Sequence, residues 1–182
     1  MIRLLDFSLS LIGIILLLPI MLPVFIIAYL DTGSPIFVQE RVGRYECPFF
    51  LYKFRTMSVS TKSVASHMVD SSSITRLGRI LRKTKLDELP QLFNVFKGDM
   101  SLVGPRPNLP NQIELIELRK KHGVFQVRPG ITGLAQLRKV DMSTPEKLAL
   151  IDREMLRSLT VTSYFKYIAS TVLGGGFGDA IK

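Results

Sequence analysis

The chain has 182 residues, enough for one compact domain plus an attachment element but not for two full domains. Lys and Arg number 24 against 15 Asp and Glu, a net charge of +9, yet 47% of residues are hydrophobic, which excludes a disordered basic tail. The single cysteine, Cys47, excludes an internal disulfide framework and a multi-cysteine metal site, and His67 and His122 are too far apart in sequence to suggest a histidine-built one.

The apolar excess sits at the start. Phe7 to Leu30 carries no charge and is rich in Leu and Ile, with Arg3 and Asp6 the only charges before Asp31. A run of about 20 apolar residues is the length that crosses a bilayer as a helix. No small-residue cleavage site follows Leu30, so the segment is expected to be retained and to sit in lipid. Pro19 and Pro23 fall near its middle. Each proline lacks a backbone donor and clashes one turn back, so Pro19 frees the carbonyl of Ile15 and Pro23 that of Pro19. Two readings fit: a kinked spanning helix, or a re-entrant hairpin of two short half-helices over residues 1–30. The remainder, 31–182, carries nearly all the positive charge and no second spanning run, which points to the cytoplasmic side.

Asp31 to Pro35 (DTGSP) reads as a turn leaving the membrane. Ile36–Gln39 and Pro48–Phe54 read as a small hairpin turning at Gly43-Arg44. Residues 58–73 are Ser-rich and short of large apolar side chains, hence an expected mobile loop. Ile74 to Lys85 places Ile74, Leu77, Ile80 and Leu81 at helical spacing among Arg76, Arg79, Arg82 and Lys83, a basic amphipathic helix. Leu86 to Lys97 is a second helical pattern, with Leu89, Leu92, Phe93 and Phe96 on one face. Gly98–Pro110 and Gly123–Gly133 are turn-rich loops around a helix at Gln112–His122. A further helix starts at Thr144 with Pro145 at its first position. Val161–Leu173 is apolar and suited to an interface, and Gly174–Lys182 is expected to fray.

Asp87-Glu88 is the most informative spot for chemistry. Pro90 fits a helix only in its first turn, so Asp87 could cap that helix and Glu88 open it, with Thr84 as the rival cap. Carboxylates there would face unpaired backbone donors at the positive end of the helix dipole. Cations accompany them in sequence. Arg106 is fixed between Pro105 and Pro107, Arg128 precedes the Pro129-Gly130 turn, and Lys53 and Arg55 alternate with aromatics in YKFRTM. Arginine matches phosphate geometry in a bidentate way, and paired carboxylates suit a hard cation such as Mg²⁺. Cys47 reads as a packed thiol, and Gly174-Gly175-Gly176 lacks the lysine and helix of a phosphate-binding loop.

RLLDF at 3–7, QERVGR at 39–44, YKFRTM at 52–57, LGRILRKTKLDELPQLFNVFKGDMSLVGPRP at 77–107 and RPGITGLAQ at 128–136 together resemble the bacterial sugar transferase family of monotopic phosphoglycosyl transferases. The resemblance runs from Arg3 to about Asp152. It implies an α/β fold with a small antiparallel sheet, amphipathic interfacial helices and an N-terminal re-entrant membrane hairpin broken at Pro19, with Pro23 an additional breaker. Leu18 stands where family members often have Ser. It implies Asp87 as a nucleophile toward the sugar-linked phosphorus of a UDP-sugar, Glu88 as a ligand for Mg²⁺, UMP release through a covalent phosphosugar-aspartate, and polyprenyl (undecaprenyl) phosphate as acceptor. Arg82, Lys53, Arg55, Arg106 and Arg128 match basic family positions suited to phosphate or nucleotide contacts. The implied location is the cytoplasmic face of a bacterial inner membrane, at the first membrane step of glycoconjugate or polysaccharide assembly. A non-catalytic protein binding anionic lipid through basic amphipathic helices is the alternative. Nucleic-acid binding is disfavoured by the membrane segment and the lack of interleaved base-stacking aromatics.

Overall fold

The computed structural model describes residues 1–61 and 73–174. His67, most of the Ser-rich 58–73 segment and the chain after Gly174 lie outside the described residues.

The first element, α1 (Ile2–Thr32), is one helix of 31 residues with Pro19 and Pro23 inside it. Gly33 closes it in the left-handed conformation, its N–H donating to Tyr29 O. Uniformly apolar composition hides a packing stripe that the structure reveals. Ile2, Leu5 and Leu9 pack against Val103, Met155, Tyr164 and Tyr167. Leu17, Met21 and Val24 pack with Phe54 and Leu81. Gly13 lets the helix approach Leu92, and Ala28 is fully buried. These positions recur every three or four residues, the period of one helix face. Leu4, Ile12, Ile15, Leu16, Ile26 and Leu30 remain exposed around the rest of the circumference. Among the described residues, α1 is the one helix long and apolar enough to cross a membrane.

β1 (Ile36–Val42) and β2 (Pro48–Phe54) form the expected antiparallel hairpin, in register from Ile36↔Phe54 to Val42↔Pro48. A 3₁₀ turn at Arg44–Glu46 joins them. α2 (Arg76–Thr84) is capped by the Thr75 hydroxyl, which accepts from Gly78 N–H at 2.9 Å. Gly78 is required by closeness: a Cβ there would lie 2.0 Å from Thr56 O. Ile80 is exposed rather than buried with Leu81, so the apolar face of α2 is narrower than its spacing suggests.

The next segment departs from expectation. Lys85 adopts a left-handed conformation (φ 59°) and ends α2. Leu86–Glu88 is a separate 3₁₀ turn, and α3 (Gln91–Lys97) begins only after Pro90. Asp87 is therefore not a helix cap. Thr84 is not one either: it is the last residue of α2, its hydroxyl donating back to Ile80 O and Leu81 O. Phe93 is exposed while Gln91 and Asn94 are buried, because α3 is rotated to bring Asn94 onto β2. There the Asn94 amide donates to Phe50 O at 2.7 Å and accepts from Tyr52 N–H at 3.1 Å.

The two turn-rich loops each hold a three-residue strand, β3 (Ser101–Val103) and β4 (Gly130–Thr132), paired in parallel. This second sheet was not apparent from the sequence pattern. It depends on Gly104 and Gly130, whose backbones touch; a Cβ on Gly130 would sit 2.0 Å from Gly104 N. α4 (Ile113–Lys121), the short α5 (Leu134–Leu137), α6 (Pro145–Ser158) and α7 (Val161–Val172) complete the fold. α7 turns Tyr164 and Tyr167 into the core against α1.

Candidate active site

The 3₁₀ turn after α2 buries Asp87 and Glu88 side by side, leaving Asp87 only 3% exposed. Two cations from distant segments meet Glu88. Lys53, near the end of β2, brings Nζ to 3.2 Å from Glu88 Oε1. Arg106, from the Gly104–Pro107 segment, brings Nη2 to 2.9 Å from the same oxygen. Lys53 is buried, whereas the Arg106 side chain keeps a fifth of its surface open to solvent. Arg82, in the last turn of α2, donates from Nε to Thr56 Oγ1 at 2.9 Å. The close seating of Gly78 on Thr56 fixes that contact, so α2 and the end of β2 act as one frame for the basic side chains.

The other two predicted cations have different partners. Arg55 donates from Nε to Ser34 O at 2.8 Å, also reaches Ser34 Oγ and Ile36 O, and lies over the Phe37 ring. It braces the exit of α1 onto the hairpin. Arg128 donates from Nε to Gly98 O at 2.7 Å and closes the end of α3. Pro19 and Pro23 lie on the exposed side of α1, with Leu18 beside them.

The structure also brings in residues that sequence reasoning passed over. Gln39 and Arg41 alternate on β1 and are both buried, and Arg41 donates from Nη1 to Pro107 O at 2.9 Å. Their period-two spacing inside QERVGR was the available signal. Arg119 gave no such signal, since RKKH at the end of α4 reads as a solvated run. It is 1% exposed. Its Nε and Nη2 donate to Asp152 Oδ2 at 3.0 and 2.7 Å, and its Nη1 donates to Arg106 O at 2.9 Å and Asn108 Oδ1 at 2.8 Å. Burial pushes the Asp152 carboxyl above the usual carboxylate range, and Arg119 opposes that shift. Asp6 is a further such residue: its Oδ1 accepts from Ser101 Oγ, Leu102 N–H and Tyr164 Oη at 2.8, 2.9 and 2.8 Å. Burial and that bond raise the Tyr164 phenol well above its ordinary value.

The structure thus sets buried paired carboxylates, cations on Glu88 and a long apolar helix together on one domain. The profile of the bacterial sugar transferase family matches residues 1–175, and the chain belongs to that family. It is 48% identical over 109 residues to the uncharacterized sugar transferase EpsL of Bacillus subtilis, covering 59% of this chain and 54% of that protein. It is 37% identical over 137 residues to the UDP-N-acetylgalactosamine-undecaprenyl-phosphate N-acetylgalactosaminephosphotransferase of Aeromonas hydrophila, covering 72% of this chain and 32% of that protein. It is 44% identical over 112 residues to the UDP-glucose:undecaprenyl-phosphate glucose-1-phosphate transferase of Caulobacter vibrioides, covering 59% of this chain and 42% of that protein. The chain thus spans between a third and about half the length of these relatives.

Proposed function

We propose that this chain is a phosphoglycosyl transferase that moves a sugar phosphate from a UDP-sugar to undecaprenyl or a similar polyprenyl phosphate. The observation that carries this reading is the convergence of Lys53 and Arg106 on Glu88 beside the buried Asp87. The names of the relatives supply the donor and acceptor classes, and because their donors differ, the sugar is left to experiment.

In the proposed first step an Asp87 carboxylate oxygen attacks the sugar-linked phosphorus. A bond forms between aspartate oxygen and phosphorus, the phosphoanhydride bond breaks, and UMP departs with the electron pair. In the second step the phosphate oxygen of the lipid attacks the same phosphorus, releasing the Asp87 carboxylate and forming polyprenyl-diphosphate-sugar. Two displacements at one carboxylate let a soluble donor and a lipid acceptor react in turn. Arg106, partly exposed and linked to Glu88, is suited to hold the diphosphate, and Lys53 supplies fixed buried positive charge beside it.

Asp87 and Glu88 fit Mg²⁺ by donor chemistry, since this ion takes one or two carboxylates and completes its shell with water and substrate phosphate. Among the described residues no cluster of three or more acidic, His or Cys side chains offers a fuller protein cage. Bound there, with Glu88 as a ligand, the ion would neutralise diphosphate charge.

A re-entrant, one-sided seat in the membrane belongs to the same reading. Arg3, at the start of α1, donates to Val95 O and Phe96 O at 2.6 and 2.7 Å, and Asp6 is tied to β3 and α7. The far end of α1 is tied to the hairpin through Ser34 and Arg55. A helix crossing the bilayer would separate its ends by about 30 Å on opposite faces. Attachment of both ends to one domain supports a one-sided seat, in which α1 would turn back at Pro19 and Pro23 when in lipid, with the catalytic part on the cytoplasmic face.

The test follows nucleotide release from protein in detergent with Mg²⁺, undecaprenyl phosphate and a panel of UDP-sugars. UMP is expected with one sugar, and Asp87→Asn should abolish it while leaving the thermal melt in place. UDP in place of UMP would mean direct glycosyl transfer and end the aspartate proposal. No nucleotide release from folded protein with any sugar would leave the anionic-lipid-binding alternative.

A further inference from the structure

The Pro105-Arg106-Pro107 segment has an unusual mode of support. Two of its three residues lack a backbone N–H, so the segment can be held chiefly through its carbonyls. Every one of them is engaged. Pro105 O accepts from Gly130 N–H at 2.9 Å, Arg106 O from Arg119 Nη1 at 2.9 Å, and Pro107 O from Arg41 Nη1 at 2.9 Å. The next carbonyl, Asn108 O, accepts from Val42 N–H at 3.0 Å, and the Asn108 side chain accepts from Arg119. Two buried guanidinium groups and two backbone amides thus fix four successive peptide units through their carbonyls. The Arg106 side chain runs to Glu88.

The charges that meet these carbonyls are arranged for holding rather than for binding. The side chains of Arg119 and Asp152 are 2% and 1% exposed. With Asp152 accepting from Nε and Nη2, the Arg119 guanidinium is locked in plane, and Nη1 is left aimed at the Arg106 carbonyl and Asn108. A lysine could supply charge there but not this fork of donors. Arg41 is oriented by its own contact to Gln39 Oε1 on the same strand.

We propose that Arg119, balanced by Asp152, and Arg41 are positioning residues that set the Arg106 guanidinium against Glu88 by gripping the backbone carbonyls of the Pro-Arg-Pro segment. Their influence on phosphate transfer passes through Arg106. This rests on the transferase reading above, but the grip itself is a statement about the segment and can be examined without turnover.

The experiment uses the whole chain in detergent and compares wild type, Arg119→Lys, Arg106→Gln and the double variant. Backbone amide exchange is the first readout. Arg119→Lys should speed exchange at Gly130 and Val42, the donors to this segment, while the Leu51 and Lys53 amides of the β1–β2 ladder keep wild-type protection. UMP release is the second. Arg119→Lys should lower kcat about a hundredfold with a much smaller change in KM, the signature of a displaced reacting group. In the Arg106→Gln background the same substitution should cost less than about threefold, since residues acting as a unit are not additive. Arg41→Lys should repeat the pattern.

Unchanged exchange at Gly130 and Val42 would overturn the grip. Faster exchange with fully multiplicative losses in the double variant would overturn the route through Arg106. If wild type releases no UMP, the transferase reading falls by itself, and the exchange data still decide whether Arg119 holds the segment.

Discussion

Two ionic centres meet the Pro-Arg-Pro segment, one through the Arg106 side chain (the front) and one through backbone carbonyls (the back), and they are built on opposite plans. At the front, Lys53 and Arg106 converge on a single oxygen of Glu88, and Arg106 remains partly open to solvent. At the back, one arginine is enclosed by a single carboxylate, a carbonyl and an amide oxygen, with almost no surface left. The front gathers positive charge and leaves part of it open to solvent. The back is a closed pair, whose burial has a desolvation cost that only complete hydrogen bonding offsets. Charge alone therefore does not separate the two centres; how much of it stays accessible does.

The contrast can be tested hardest at its closed half. Arg119→Met leaves Asp152 buried without its cation and the Arg106 carbonyl without its donor. Breaking such a pair costs about 3–5 kcal/mol, the largest stability loss expected in the molecule. The pH dependence has a definite sign. Burial already pushes the Asp152 carboxyl up and Arg119 opposes it, so without Arg119 the shift grows. A folded-state value above the unfolded one means stability is lost as pH rises through it, so the variant should be weakest in alkali and recover partly in acid. Melts of variant and wild type across pH check this; a deficit independent of pH would mean Asp152 does not respond to Arg119.

The open half should respond more in activity than in stability. Glu88→Gln keeps the shape but removes the carboxylate charge shared by Lys53 and Arg106. A loss of roughly a hundredfold in UMP release, about 2.7 kcal/mol of barrier, is expected, with a melt deficit smaller than that of Arg119→Met because Arg106 is partly solvated while Lys53 loses a buried partner. A melt deficit matching that of Arg119→Met would erase the distinction between the two centres.

How much of this was legible beforehand follows from what each feature needs in order to show itself. The hairpin and helices α4 and α6 lie close to where period and turn residues place them, because each has a mixed composition; the 161–173 run was read only as apolar and interfacial, and it forms α7. The front centre was half legible: Asp87, Glu88, Lys53 and Arg106 stood out, yet Arg55 and Arg128, equally prominent, turned out to hold Ser34 and Gly98 carbonyls. A cation's partner is decided by tertiary approach, which sequence spacing does not encode. The β3–β4 pair was hidden because three-residue strands carry no usable period. The stripe on α1 was hidden for the reverse reason, since a helix apolar on all sides shows no periodicity at all. Lys85 was illegible because nothing in a lysine announces a left-handed backbone, and that single residue moved Asp87 from a helix cap to a 3₁₀ turn.

Smaller effects sharpen the comparison at its edges. Tyr164→Phe removes one of the donors to Asp6 while leaving Ser101 and Leu102 in place, a loss of about 1 kcal/mol in the melt. The smallest effect belongs to an ion pair with neither burial nor enclosure. Arg138 donates through both Nη atoms to Glu154, 2.6 Å each, and its hydrogen bond holds the Glu154 carboxyl below its usual range. Here the folded value is depressed, so whatever the pair contributes is present above the ordinary carboxylate range and fades as pH falls through the lowered value. Both side chains are about half exposed, and side-chain entropy and salt oppose the pair. Glu154→Gln should therefore leave the neutral-pH melt within error in high salt and almost unchanged in low salt. A loss rivalling that of Arg119→Met would show that good geometry at the surface stabilises as much as enclosure does, and the lesson drawn from the two centres would fail.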